Sequence, residues 1–280
     1  MAATPAPGVV DAHLHVVSND ITTFPQQPRG VGRDWWTGRA VDAPSVGSTL
    51  RANGVERGVI VQAVGPYFTD NRYARAVVEA EPDRYALVVA IDASAPDAAD
   101  QLVAEVARGA VAGVRVFAAG GDGSWLADDR ARAVWSAAAD AGTALVVACF
   151  ADHLRLLAQR LAEQPDVVVA LDHCAFVSLR GGPPYRAADA LWDLAALPSV
   201  HVKISTIVLE AAAAESTAAF IEHAVAAFGA DRLAWGSDHP QSYETGYADM
   251  LALARSACVT LDPADAEAIL GRTAQRLWFA

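Results

Sequence analysis

Eight short runs of β-branched and apolar residues recur along the chain, separated by Ala-, Arg- and Glu-rich stretches of helical length. This alternation limits the fold more than any other feature of the sequence. The runs are Gly8–His13, Gly58–Val64, Tyr85–Ile91, Gly113–Phe117, Ala144–Cys149, Val167–Leu171, Val200–Ile204 and Arg232–Trp235. Most are nearly continuous Val, Ile and Leu, the pattern of strands buried on both faces of a parallel sheet. Helical patterns lie between them at Asn71–Glu81, Ala98–Arg108, Asp128–Ala141, Asp152–Glu163, Ala187–Leu197 and Ser216–Phe228. Gly109, Gly142 and Gly229 follow three of these, where a left-handed C-terminal cap favours glycine. Eight strand–helix units within 280 residues is the arithmetic of a single (β/α)8 TIM-type barrel, an α/β domain spanning residues 1–280.

A doubly wound open sheet is the competing architecture, and it would carry GxGxxG or GxxxxGK[ST] after an early strand. Neither is present, nor is a GxSxG elbow. Gly120, Gly121 and Gly123 form a glycine-rich turn whose spacing fits no phosphate fingerprint and reads as loop flexibility. The first seven residues read as a flexible tail. The stretch 18–44, with Pro25, Pro28, Trp35 and Trp36, is too long for an ordinary connection. It follows the first strand, so it would overhang the C-terminal mouth of the barrel, as a lid or as a packed loop.

Composition excludes several classes of function. With 33 acidic and 21 basic residues the net charge is −12, which disfavours nucleic acid and anionic membranes as partners. Three widely spaced cysteines, Cys149, Cys174 and Cys258, suggest neither a disulfide framework nor a cysteine zinc site. No signal-peptide pattern and no apolar run of spanning length occurs, so a soluble cytoplasmic protein is expected. A homodimer is the common arrangement for such barrels. One lysine, Lys203, stands among twenty arginines. An Ala- and Arg-rich coding bias explains the count, but not the position.

Barrel active sites sit at the C-terminal ends of the strands, so those ends can be read in turn. The first ends Asp11-Ala12-His13-Leu14-His15, and residues two apart on a strand point the same way, which aims His13 and His15 together into the mouth. The sixth ends Leu171-Asp172-His173-Cys174 and the eighth runs into Gly236-Ser237-Asp238-His239. Imidazoles and a carboxylate converging from strands one, six and eight would make a cation site or an acid/base cluster. On the seventh strand Val202 and Ile204 suit packing against outer helices, so Lys203 points into the barrel. An unpaired ammonium there is costly. Lys203 is therefore expected to pair with a carboxylate, Asp11 or Asp238, or to touch the substrate.

These motifs resemble the amidohydrolase-related superfamily, and in particular the branch of 2-pyrone-4,6-dicarboxylate lactonase and sugar lactonases. The resemblance runs over nearly the whole chain. It rests on His13/His15, Val61-Gln62 followed by Tyr67 and Asp70-Asn71, Gly113-Val114-Arg115, Leu171-Asp172-His173-Cys174, Val202-Lys203-Ile204-Ser205 and Gly236-Ser237-Asp238. The ending Ile269-Leu270-Gly271-Arg272-Thr273-Ala274 is also similar, with Thr273 where asparagine is frequent. The resemblance implies a divalent metal held by the HxH pair and the last aspartate together with a histidine from strand five. This chain departs there: strand five ends Ala148-Cys149-Phe150, with no histidine before His153. Either no metal is obligatory, or one divalent ion such as zinc is held by His13, His15 and Asp238, with His173 and Cys149 as lesser candidates. Cys149 is a ligand as thiolate, or a small apolar filler.

The reaction the resemblance implies is hydrolytic opening of a small lactone. Asp238 would be the general base, and His13, His15 and His173 would polarise the carbonyl. Arg115 matches a position that binds a substrate carboxylate, through a fork that lysine cannot reproduce; the alternative is a buried ion pair. Arg180 is a second candidate, Arg29 and Arg33 weaker ones. Gln62 and Tyr67 would line the pocket, or Tyr67 would anchor a loop. A metal-dependent decarboxylase of the same superfamily and a catalytically silent barrel that binds a small acid are the competing functions.

Overall fold

In the computed structural model the described residues are 8–29, 34–117, 123–242 and 244–279. The expected tail 1–7, Arg33, Gly120 and Gly121 lie outside them. Eight strands form one sheet in sequence order, every neighbouring pair parallel: β1 Val9–Leu14, β2 Val55–Val61, β3 Tyr85–Asp92, β4 Gly113–Phe117, β5 Ala144–Val147, β6 Val169–Leu171, β7 Val200–Ser205 and β8 Leu233–Gly236. The ends of the sheet meet just beyond the last strand. Leu14 bridges His239, the His15 N–H donates to the His239 carbonyl at 2.8 Å, and the Asp238 N–H donates to the His13 carbonyl at 2.8 Å. The architecture is therefore the expected barrel. Against the expectation β2 begins three residues early and β5 stops at Val147, so Cys149 and Phe150 belong to the mouth rather than to a strand.

Alternation along the strands separates two layers. Val114, Val116, Val169, Leu171, Val202, Ile204, Leu233 and Trp235 pack outward with the helices in the main core. Val59, Val61, Val88, Val146, Ala170 and Ala234 face inward around Trp278, which closes the interior from the C-terminal helix Thr273–Trp278. Strand β1 breaks this rule. Val10 and Ala12 join the inner cluster and Leu14 the outer one, and the pairing register with β2 shifts between Asp11 and Leu14. Such an irregularity re-aims side chains: it turns Asp11 away from the interior and leaves His13 and His15 at the mouth.

The helices follow the sequence pattern closely at Arg72–Ala80, Ala98–Ala107, Asp129–Ala141, Leu154–Glu163 and Thr217–Phe228. Gly142 caps its helix in the left-handed region, as expected. The expected helix Ala187–Leu197 is instead three short turns ending at Leu197, whose extended backbone suits the residue before Pro198. The loop expected over 18–44 gives up its last two residues to a helix, Ala43–Ala52, because the Asp42 carboxylate accepts the Ser45 N–H and caps it. No helix among the described residues is long and apolar enough to cross a membrane.

Candidate active site

The first loop folds back on the barrel through aromatic packing. Trp35 and Trp36 are buried with Val17, Val41 and Tyr67, and the Trp35 ring lies 5.7 Å from that of His15. The Tyr67 hydroxyl accepts the Ser18 N–H at 2.8 Å, so Tyr67 anchors this loop. The Gln62 side-chain amide donates to the carbonyls of Phe68 and Asp70, which fixes the turn after β2. Arg180 is exposed, and Arg29 stacks over Phe68 at 4.5 Å. None of Tyr67, Gln62 and Arg180 has a hydrogen bond or ion pair with the histidine cluster among the described residues.

His13, His173 and Asp238 do converge. Each is buried, and each offers a ligand atom within 4.8 Å of the others. His15 joins at the side of Asp238, with Nε2 3.3 Å from Oδ1, against 3.7 Å for His13 Nε2. His173 is thus the third member of the convergent set, ahead of His15. Cys149 is not in it, and burial pushes its thiol up to about 12.

Hydrogen bonds decide which ring nitrogens face the centre. His13 Nδ1 lies 3.2 Å from Asp172 Oδ1, and His15 Nδ1 lies 2.8 Å from the Val61 carbonyl. A carboxylate and a carbonyl only accept, so each ring carries a proton on Nδ1 and turns Nε2 toward the centre. His13 Nε2 and Asp238 Oδ1 are both buried without a hydrogen-bond partner. Two unpartnered atoms thus face one small volume, an arrangement that needs a cation or a water. Burial keeps His13 well below the usual histidine range despite Asp172, and it also lowers His173. Burial works to raise Asp238, and the His173, His15 and His13 rings around it, where protonated, pull its carboxyl below the ordinary range.

Beneath this centre lies an ion cluster. Asp172 Oδ1 is 3.3 Å from Lys203 Nζ, and Oδ2 accepts from Arg115 Nε at 2.8 Å. The partner of Lys203 is therefore Asp172, not Asp11 or Asp238. The irregularity in β1 sends Asp11 the other way, where it accepts the Ser237 N–H, the His13 N–H and the Tyr247 hydroxyl. Burial opposes ionisation of Asp172, yet Lys203, His13 and Arg115 together hold its carboxyl well below the ordinary range. Lys203 also lies 5.1 Å over the Trp278 ring. Arg115 has the ion pair of its alternative reading, but through Nε alone. Its two terminal nitrogens have no assigned partner among the described residues.

Asp172 is the residue that sequence reasoning missed. The signal was there: Val169 and Leu171 face outward, so Ala170 and then Asp172 face inward. Gly236 is a second omission. A Cβ there would sit 2.6 Å from His13 Cβ and 2.8 Å from its backbone nitrogen, so only glycine lets β8 approach β1 at the histidine pair.

A family model described as Amidohydrolase matches residues 10–280. An L-fucono-1,5-lactonase of Burkholderia ambifaria is 28% identical over 249 residues, 85% of this chain and 82% of the relative. A crystal structure from Pseudomonas putida, provisionally designated a 2-pyrone-4,6-dicarboxylic acid hydrolase, superposes with a TM-score of 0.77 at 24% identity over 98% of both chains. An amidohydrolase of Burkholderia multivorans with bound zinc gives a TM-score of 0.73 at 23% identity, covering 96% of this chain and 98% of that one. The two structural likenesses speak to the fold.

Proposed function

Because this chain belongs to the amidohydrolase family, we propose that it hydrolyses a small carboxylate-bearing lactone, with Asp238 as general base. The observation that carries this reading is the buried Asp238 carboxyl, whose Oδ1 faces Nε2 of His13 and His15 and has no hydrogen-bond partner. A general base must keep an acceptor free for the proton it takes. Oδ2 meets the Ser242 hydroxyl at 3.5 Å, too long to occupy it fully.

The steps follow from the residues. Asp238 takes a proton from a water as its oxygen bonds to the lactone carbonyl carbon. The tetrahedral oxyanion then collapses, the ring C–O bond breaks, and the departing alkoxide recovers the proton from Asp238. The product is an open-chain hydroxy acid. Asp172 holds the His13 ring through Nδ1, so that Nε2 stays aimed at the reacting centre. Arg115, fixed through Nε by Asp172, presents its terminal nitrogens as a fork for a substrate carboxylate.

A divalent metal fits the same pocket, since its buried polar atoms are acceptors and two of them are orphaned. His13, His173 and Asp238 would hold it, with His15 beside Asp238, and imidazole plus carboxylate donors suit zinc. Such an ion would supply Lewis-acid polarisation of the carbonyl.

The test is a panel of pyrone carboxylates, muconolactones and sugar lactones followed by acid release, before and after chelation and zinc addition. Turnover of a carboxylated lactone is expected, with Asp238→Asn lowering kcat by about 10²–10⁴-fold. A near-wild-type rate in the Asp238→Asn variant excludes the base. Release of carbon dioxide from an aromatic acid in place of lactone opening would favour the decarboxylase.

A further inference from the structure

Ser205 stands where a helix cap is expected, yet its hydroxyl points elsewhere. It precedes the helix Thr206–Ala212 at the N-cap position, where a serine oxygen ordinarily accepts a backbone N–H of the first turn. Asp42, Asp128, Ser216 and Asp262 cap their helices in that way. Ser205 makes no such bond. Its side chain is fully buried at the top of β7, and its Oγ lies 2.8 Å from His173 Nδ1.

This contact differs in kind from those of the other two rings at the centre. Nδ1 of His13 faces a carboxylate and Nδ1 of His15 a carbonyl, groups that only accept. A hydroxyl can donate or accept, so its direction follows from what else it meets. Among the described residues Ser205 Oγ has no other hydrogen-bond partner. Were Nδ1 to donate, the hydroxyl proton would be buried without an acceptor, which is the costly arrangement. If Oγ donates instead, that proton is used and only oxygen lone pairs are left over. The ring then carries its own proton on Nε2. Burial lowers His173 and so favours the neutral ring that this arrangement requires.

We propose that Ser205 is a positioning residue that holds His173 with its proton on Nε2, opposite to His13 and His15, so that this ring donates a hydrogen bond to the lactone carbonyl oxygen. With Nδ1 engaged, Nε2 is the nitrogen that His173 brings to the convergent set with His13 and Asp238. The bond strengthens as water adds to the carbonyl carbon and negative charge gathers on the oxygen. No proton is transferred, and the bond relaxes when the intermediate collapses. A metal on Nε2 would need the other tautomer, which the hydroxyl serves by turning to accept from Nδ1. The hydrogen bond to the carbonyl rests on the lactone-hydrolase reading, whereas the tautomer stands on the Ser205 contact.

The test reads the tautomer directly, by nitrogen–proton correlation spectra of the full chain carrying isotope-labelled histidine. Metal is first removed by chelation, and the spectra are taken at about pH 8, above the ordinary histidine value. A His173→Gln variant identifies the signals. In the wild type His173 should carry a proton on Nε2 alone; a proton on Nδ1, alone or with one on Nε2, overturns the proposal. Ser205→Ala should shift the His173 Nδ1 signal, since its hydrogen bond is lost, and an Nδ1 signal equal to that of the wild type overturns the role of Ser205.

Kinetics supply the second readout. On a lactone that the wild type opens, Ser205→Ala should lower kcat about 10- to 100-fold with KM nearly unchanged. Ser205→Thr, which keeps the hydroxyl, should recover most of the loss. Wild-type kcat in Ser205→Ala overturns the positioning role. Absence of acid release from every lactone would sink the hydrolase reading, while the spectra would still decide the tautomer.

Discussion

His13 Nδ1 stands 3.2 Å from Asp172 Oδ1, and the same oxygen lies 3.3 Å from Lys203 Nζ. One buried carboxylate therefore orients a ring of the reacting centre and neutralises the only lysine of the chain. Its second oxygen fixes Arg115. Asp172 thus couples the proposed proton chemistry to the proposed substrate anchor.

Asp172→Asn should be strongly destabilising, because it leaves two buried cations facing an amide. Removing one partner of a buried pair costs about 3–5 kcal/mol. Lys203→Met keeps volume and leaves Asp172 paired with Arg115, so it should cost less. Denaturant melts of both variants check the order. A Lys203 variant less stable than the Asp172 variant would contradict it.

Arg115→Lys separates the anchor from the ion pair. Lysine can still neutralise Asp172 but lacks the planar fork. KM for carboxylated lactones should rise roughly 10-fold, the worth of a charge-assisted hydrogen bond, with a smaller change for an uncharged lactone. Equal KM values for wild type and variant on the carboxylated substrate would remove Arg115 from the binding site.

Gly236→Ala introduces a methyl group 2.6 Å from His13 Cβ and 2.8 Å from its backbone nitrogen. Overpacking of this kind typically costs about 1–3 kcal/mol. Here the displaced group is the histidine pair itself, so activity should fall further than stability. A variant that melts normally and turns over normally would show that the barrel seam can relax.

Acidification should weaken the fold through the buried histidines. Burial lowers His13 and His173, and burial with His15 and Arg39 nearby brings His239 down to about 4. Folded values below the unfolded one mean that the unfolded chain binds protons the native state refuses. The stabilisation is complete above about pH 6.5, the unfolded histidine value, and declines as pH falls from there. Asp172 adds to the loss only at much lower pH, since its folded value is depressed below the ordinary carboxylate range. Calorimetry between about pH 7.5 and 4.5, a window that brackets the unfolded histidine value, should show a falling melting temperature. A flat profile would mean these imidazoles are protonated in the native state.

Much of this molecule is legible in the sequence because strand patterning and motif spacing are local. Alternation of Val202 and Ile204 with Lys203 is enough to put the lysine inside, and the histidines and Asp238 announce themselves at strand ends. The partners are not local. Asp172 meets Lys203 from the neighbouring strand, Arg115 meets it from two strands away, and Asp11 is lost to the interior because β1 shifts register before Leu14. Likewise Phe176 reads as one more apolar residue after the sixth strand, until a left-handed turn carries it to the mouth. Pattern along the chain was enough for the barrel and for the residue types at its mouth, since periodicity is set by sequence neighbours. Which charges cancel and which nitrogens face inward came from the folded barrel alone, since both depend on register and distance across the closed sheet.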